Sequence, residues 1–183
     1  MSGAENANQD RWTVGLRVIP EAVPRASLRA TLTYRLHPRV TAGIEINPRA
    51  DQASGRVSPL LNWLAVSETE RRPALILGTS SDRIGTPDGQ SFYATLSKNL
   101  KRDTGLPIAP YAGLAYSTHD HRLLPLAGLN VSFTRHLSAL VIFDGVRVHP
   151  LLNYTRGRHT FSFLLAFANK PGFSYSLAFG GRK

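Results

Sequence analysis

Phe161-Ser162-Phe163-Leu164-Leu165-Ala166-Phe167 and Phe173-Ser174-Tyr175-Ser176-Leu177-Ala178-Phe179 decide the fold class. In the first run the large side chains sit at odd positions, and in the second they alternate with Ser, Ser and Ala. Alternation at period 2 sends one set to each face of an extended strand. The same pattern runs back toward the N-terminus. Trp12, Val14, Leu16 and Val18 stand against Thr13, Gly15 and Arg17. Leu28, Ala30, Leu32 and Tyr34 oppose Arg29, Thr31 and Thr33, and Val40, Ala42, Ile44 and Ile46 oppose Thr41, Gly43, Glu45 and Asn47. Leu129, Val131 and Phe133 oppose Asn130 and Ser132.

Between these runs lie turn-forming residues: His37-Pro38, Ala53-Ser54-Gly55, Pro87-Asp88-Gly89, Thr104-Gly105, Asp144-Gly145, Arg156-Gly157-Arg158 and Lys170-Pro171-Gly172. The punctuation predicts about twelve strands, near 11–19, 26–35, 39–47, 57–66, 73–80, 90–98, 107–117, 123–134, 138–144, 147–155, 159–168 and 172–180. Phe92, Leu96 and Leu100 also fit one helical face. The alternation of Phe92, Ala94 and Leu96 with Tyr93 and Thr95 favours a strand. No helix is expected anywhere. The reading is an all-β, antiparallel up-and-down meander of about twelve strands, forming a β-barrel or a strongly curved sheet. Residues 1–10 read as a polar N-terminal tail and 11–183 as a single β domain. Pro59, Pro110, Pro125 and Pro150 fall inside predicted strands. Proline donates no ladder hydrogen bond, so they predict bulges or incomplete closure.

The chain has 183 residues, no cysteine and a net charge of +10. Disulfides and thiolate metal sites are excluded, and the charge favours an anionic partner. Turns of a meander alternate between two ends, and the basic residues fall on one of them. Arg35, Arg39, Lys101, Arg102, Arg135, Arg156, Arg158, Arg182 and Lys183 are the candidate docking set there, for anionic lipid or an acidic protein surface. The aromatics lie on the apolar rows and do not interleave with the basic residues, so nucleic-acid binding is not expected.

The apolar face has no helix to cover it. Twelve strands also enclose more space than inward apolar side chains readily fill. Thr31, Thr33, Thr41, Gly43, Asn62, Gly113, Gly128, Asn130, Ser132, Ser162, Ser174 and Ser176 make a small, polar row. That suits an inverted barrel with its apolar side outward, and strands of this length suit a bilayer.

Pro110 to Phe179 resembles the closing hairpins of bacterial outer-membrane β-barrel proteins. The resemblance rests on Tyr111-Ala112-Gly113-Leu114-Ala115-Tyr116, on Ala127-Gly128-Leu129-Asn130-Val131-Ser132-Phe133 and on Phe143-Asp144-Gly145. It also rests on an aromatic last strand with Phe173, Tyr175, Leu177 and Phe179. The chain departs from that class in its short loops and in ending Gly180-Gly181-Arg182-Lys183 without a terminal Phe. The resemblance implies a non-catalytic structural barrel, or one passing small solutes, with membrane lipid as its partner. The alternative is an accessory structural subunit of a multisubunit membrane complex, such as a respiratory or photosynthetic one. It would dock on the cytoplasmic side through its apolar face and basic end. Met1-Ser2-Gly3-Ala4-Glu5-Asn6 has neither the basic start nor the apolar run of a signal peptide. The expected location is therefore the outer membrane if a leader has been removed, and otherwise the cytoplasmic face of the inner membrane.

No phosphate-binding loop, dinucleotide glycine pattern, zinc signature or nucleophile elbow is present, so neither cofactor nor catalytic set is expected. His119-Asp120-His121 offers two imidazoles and a carboxylate, but two such ligands on a turn more often make a solvated turn than a metal site. His149, on a polar row, reads as a satisfied or exposed histidine, and Asp144 as a hairpin residue. Arg17, Arg29 and Glu45 share the polar face of neighbouring strands. They read as cross-strand pairs or as a charge ladder in a pore.

Overall fold

The computed structural model describes residues 10–181. Twelve antiparallel strands of 7 to 11 residues close into one barrel. They are β1 (Trp12–Val18), β2 (Leu28–His37), β3 (Val40–Ile46), β4 (Val57–Val66), β5 (Ala74–Ser81), β6 (Gln90–Ser97), β7 (Ile108–Ser117), β8 (Arg122–Ser132), β9 (Leu137–Phe143), β10 (Val148–Arg156), β11 (His159–Ala166) and β12 (Lys170–Phe179). Each pairs with its chain neighbour, and β1 closes on β12 in a register running from Trp12↔Phe179 to Val18↔Phe173. Closure removes both sheet edges. Helix is confined to three four-residue turns, α1 (Pro24–Ser27), α2 (Ala53–Arg56) and α3 (Lys101–Thr104), all in connections. These correct the expectation of no helix at all.

The strand prolines create neither bulges nor a gap. The two register shifts lie elsewhere, at Arg35/His37 and at Leu64/Val66. Each proline is paired on one side and overshoots the ladder on the other. Pro59 faces Ile44, while the β4·β5 register begins at Leu61. Pro110 faces Leu129, while the β6·β7 register ends at Tyr111. Pro125 faces Leu114, while the β8·β9 register begins at Ala127. Pro150 faces Val141, while the β10·β11 register begins at Leu151. A closed barrel needs a stagger between strands. The prolines sit in that overhang, where one side of the strand has no ladder donor to supply.

The alternation resolves into an apolar outside and a polar inside. Val14, Leu16, Ile44, Leu114, Val141 and Leu152 are all exposed on the outer rows. Arg156, at the end of β10, is the one Asp, Glu, Lys or Arg on those rows within the described strands, with His159 opposite it. Aromatic side chains gather toward both rims. Trp12, Tyr34, Trp63, Phe133, Tyr154 and Phe179 stand toward the mouth that holds the termini, and Phe92, Tyr116, Phe143 and Phe173 toward the opposite one. The Trp12 and Tyr34 rings pack with centroids 4.6 Å apart.

Inside, glycine makes room for tyrosine. Gly78 faces Tyr93 and Gly128 faces Tyr111 across the ladders. A Cβ on Gly78 would lie 2.5 Å from the Tyr93 hydroxyl, and one on Gly128 would lie 2.3 Å from the Tyr111 ring. Tyr93 then donates to Asn62 Oδ1 at 2.6 Å. The buried apolar cluster is not central. Ile19, Leu164 and Ala166, with Ala22, Ile84, Leu151 and Phe167 against them, sit at the mouth away from the termini. That mouth is capped and the other carries the chain ends. The two are named the capped mouth and the terminal mouth below.

Candidate functional site: a loop-capped cavity in the barrel

The connection 82–89 between β5 and β6 folds inward across the capped mouth. Ile84 reaches the apolar cluster made by Ile19, just past β1, and Leu164 on β11. Arg25, from α1, holds the loop from the other side and is 1% exposed. Its guanidinium donates to the carbonyls of Thr86 at 2.8 Å, Asp82 at 3.0 Å and Arg83 at 2.6 Å, and to Thr86 Oγ1 at 3.1 Å. Glu45 lies 4.0 Å away. Burial pushes the Arg25 guanidinium below its ordinary pKa, and the Glu45 carboxylate pulls it back.

The loop is latched on its outer side as well. Asp82 accepts from the Arg83 and His119 amides and from the Ser117 hydroxyl. Arg83 donates to Asp120 Oδ2 from Nε at 3.1 Å and from an outer nitrogen at 2.9 Å. That hydrogen bond holds the Asp120 carboxyl below the usual carboxylate range. His119 Nδ1 is 2.6 Å from Asp88 Oδ1. The turn His119-Asp120-His121 is therefore no free solvated turn: two of its three polar side chains clasp the plug loop. Among the described residues no group of three or more His, Asp or Glu is placed to hold a metal ion.

Beneath the loop lies a cavity of about 440 Å³, lined by β12, β1 and β2 on one wall and by β9 to β11 on the other. Arg17 and Arg29 reach into it from directly opposed positions on β1 and β2. Arg29 forms an ion pair with Glu45, which is buried and also accepts from Asn47 at 3.0 Å. This realises the cross-strand pairing expected for Arg29 and Glu45. Among the described residues Arg17 has no such partner, and its Nε, like that of Arg29, is buried without a hydrogen bond.

His149 and Asp144 lie on the opposite wall. His149 is buried, 2.9 Å from Asp144 Oδ2 through Nε2. The Phe167 amide donates to its Nδ1 at 3.2 Å, so Nε2 is the nitrogen that donates to Asp144. Asp144 also accepts from the Val146 and Arg147 amides at 3.0 and 2.7 Å. Burial pushes the Asp144 carboxyl up, but the bonds from His149 and the two amides outweigh it and leave the pKa lowered. Both ring nitrogens of His149 are committed, so it offers no free base to a nucleophile. It ties the β9–β10 turn to the β11–β12 turn.

The basic docking set lies apart from this cavity. Arg39, Lys101, Arg135, Arg156 and Arg158 are exposed around the terminal mouth, with Arg35 half-buried beside them. Arg102 belongs to α3 there, its side chain outside the described residues, as are the whole of Arg182 and Lys183. Arg158 is already engaged, its Nε 3.1 Å from the buried Asp10. Asp10 also accepts from the Gly181 amide at 3.0 Å, which joins the two chain ends. It therefore belongs to the barrel, whereas the remainder of the expected tail, residues 1–9, lies outside the described residues. Arg25 carries no mark in the sequence to distinguish it from the other loop arginines. No family model, curated protein or solved structure matches the chain.

Proposed function

We propose that this chain is a non-catalytic, outer-membrane-type β-barrel that crosses a bilayer with its twelve strands, either as a structural element or as a path for small solutes. One observation carries the reading: the apolar belt runs around the whole circumference. Every strand contributes outward Leu, Val, Ile, Ala, Phe, Trp or Tyr, while the inward rows are mostly Ser, Thr, Gly, Asn and charged residues, with Leu60, Tyr93, Leu126 and Leu140 among the minority of larger apolar or aromatic side chains there. A protein partner docked on one side would leave the remaining outer rows in water. Lipid covers all of them at once. The rims of Trp, Tyr and Phe fit the two interfaces of a bilayer. The exposed arginines of the terminal mouth then face the anionic headgroups of one leaflet, each contributing about 1 kcal/mol near such a surface. The engaged nitrogens of His149 support a non-catalytic role.

Refolding from urea into detergent micelles and into vesicles tests this. The expected species is β-rich, migrates differently on a denaturing gel before and after heating, and resists protease. Both tryptophans, Trp12 and Trp63, stand outward toward one rim. Their fluorescence should be quenched more by lipids brominated near the headgroup than by lipids brominated at the chain ends. A chain that folds as a monodisperse species in water without detergent would overturn the proposal.

A further inference from the structure

Arg17 and Arg29 are a like-charged pair placed directly across from one another on β1 and β2. Such a pair is destabilising unless something neutralises it. Glu45 answers Arg29 and also lies near Arg25. The carboxylates lining the cavity are spent: Asp82 on two amides and Ser117, Asp144 on two amides and His149. Among the described residues Arg17 is thus a cation in the barrel interior with no carboxylate of its own, its buried Nε without an acceptor. Around it the wall is built small. Gly15 stands next but one on β1, where a Cβ would come within 2.6 Å of the Thr31 hydroxyl. Ser174 and Ser176 line the same cavity from β12, paired with Arg17 and Gly15. Two guanidinium groups and nearby hydroxyls are donors only or donors by choice, and they suit the oxygens of a carboxylate or phosphate group.

We propose that the cavity is a binding site for a small oxyanion, a phosphate or carboxylate group held between Arg17 and Arg29 with the Thr31, Ser174 and Ser176 hydroxyls around it. The proposal names the class of solute for the barrel reading and rests on that barrel forming in detergent or lipid. The cavity's volume of about 440 Å³ admits a small organic acid or phosphate ester. The anion completes the charge balance that Glu45 leaves half done, so it binds where two cations otherwise repel.

The test uses the full chain in neutral-detergent micelles, with thermal unfolding and calorimetric titration against sodium phosphate, sodium acetate and sodium chloride at matched ionic strength. Phosphate or acetate should raise the unfolding temperature of the native protein above its value in chloride, and the stronger of the two identifies the group. Arg17→Gln should unfold no lower than the native protein in chloride, because it relieves the repulsion. It should weaken oxyanion affinity by at least about tenfold. Arg49→Gln, an exposed charge deletion at the same mouth, should leave the affinity unchanged. Three results would overturn the site: chloride equal to both oxyanions on the native protein, an undiminished shift in Arg17→Gln, or an Arg17→Gln protein destabilised in chloride. Should Arg17→Gln not fold, it joins the third result, and the native comparison still stands alone. A chain that forms no β-rich, heat-modifiable species in micelles fails the barrel reading instead, and is told apart by that gel shift before any titration.

Discussion

At the terminal mouth, Arg39, Arg135 and Arg156 stand exposed; at the capped mouth, Arg25 is sealed under a loop with four hydrogen bonds and a carboxylate. Counting charge along the sequence weights these arginines equally. Physically they belong to different regimes. A guanidinium at the rim stays hydrated and acts through a field that salt screens. A buried one has lost its hydration and must recover it from fixed partners, so it becomes part of the scaffold. The terminal mouth is therefore where this barrel can meet a charged surface. The capped mouth is where its interior is shaped.

The largest break of that contrast is Arg25→Ala. Removing one partner of a buried, hydrogen-bonded charge costs about 3–5 kcal/mol. It also frees the carbonyls of Asp82, Arg83 and Thr86 that hold the plug loop. A lowered unfolding temperature in micelles and a larger unit conductance in planar bilayers are expected together. Arg39→Ala at the other mouth should move stability by less than about 0.5 kcal/mol. Equal losses at the two mouths would erase the distinction.

The next effect sets the outside of the barrel against its inside. Val141→Arg places a charge in the middle of an outward row, between Pro150 and Leu129. At a bilayer midplane that costs about 2–4 kcal/mol. The same residue introduced at Asn153, on an inward row of the adjacent strand, should leave membrane folding nearly intact and change ion selectivity instead. Urea titrations of both variants in vesicles compare the two directly.

Much of this was legible. Most strands follow from period-2 alternation, and the less regular ones, such as Ala74–Ser81 and Leu137–Phe143, from the turn residues that bound them. The inward placement of Arg17, Arg29 and Glu45 follows from the same parity. Closure does not. It depends on Trp12 meeting Phe179, a contact between the chain's two ends that no local pattern encodes. The strand prolines misled for the same reason: the stagger that accommodates them is a property of the closed barrel. The plug was invisible because Val23-Pro24-Arg25-Ala26-Ser27 reads as an ordinary turn, and only the folded chain brings Arg25 to Thr86, 61 positions away.

Charge reversal at the terminal mouth should act on association and leave folding alone. Arg39, Arg135 and Arg156 changed together to Glu should weaken binding to anionic vesicles by about 1 kcal/mol per original cation. Unfolding in neutral micelles should not change. Arg158 is excluded from the set, because its pair with buried Asp10 gives it a structural share. A triple variant that binds anionic and neutral vesicles as the native protein does would remove the docking role from this mouth.

The smallest effect returns to the capped mouth and its outer latch. Arg83 holds the Asp120 carboxyl below the usual carboxylate range, so the folded state releases that proton at a lower pH than the unfolded chain does. The latch therefore contributes fully above the unfolded pKa of about 4, and its contribution fades as pH falls through the lower folded value. For a partly exposed pair the amount is under about 1 kcal/mol. Asp120→Asn should lower the unfolding temperature slightly at pH 7, and the gap from the native protein should narrow as pH falls below about 4 toward the lower folded value. A gap that stays constant from pH 7 to pH 3 would mean that Asp120 matters for its shape in the turn and not for its charge on Arg83.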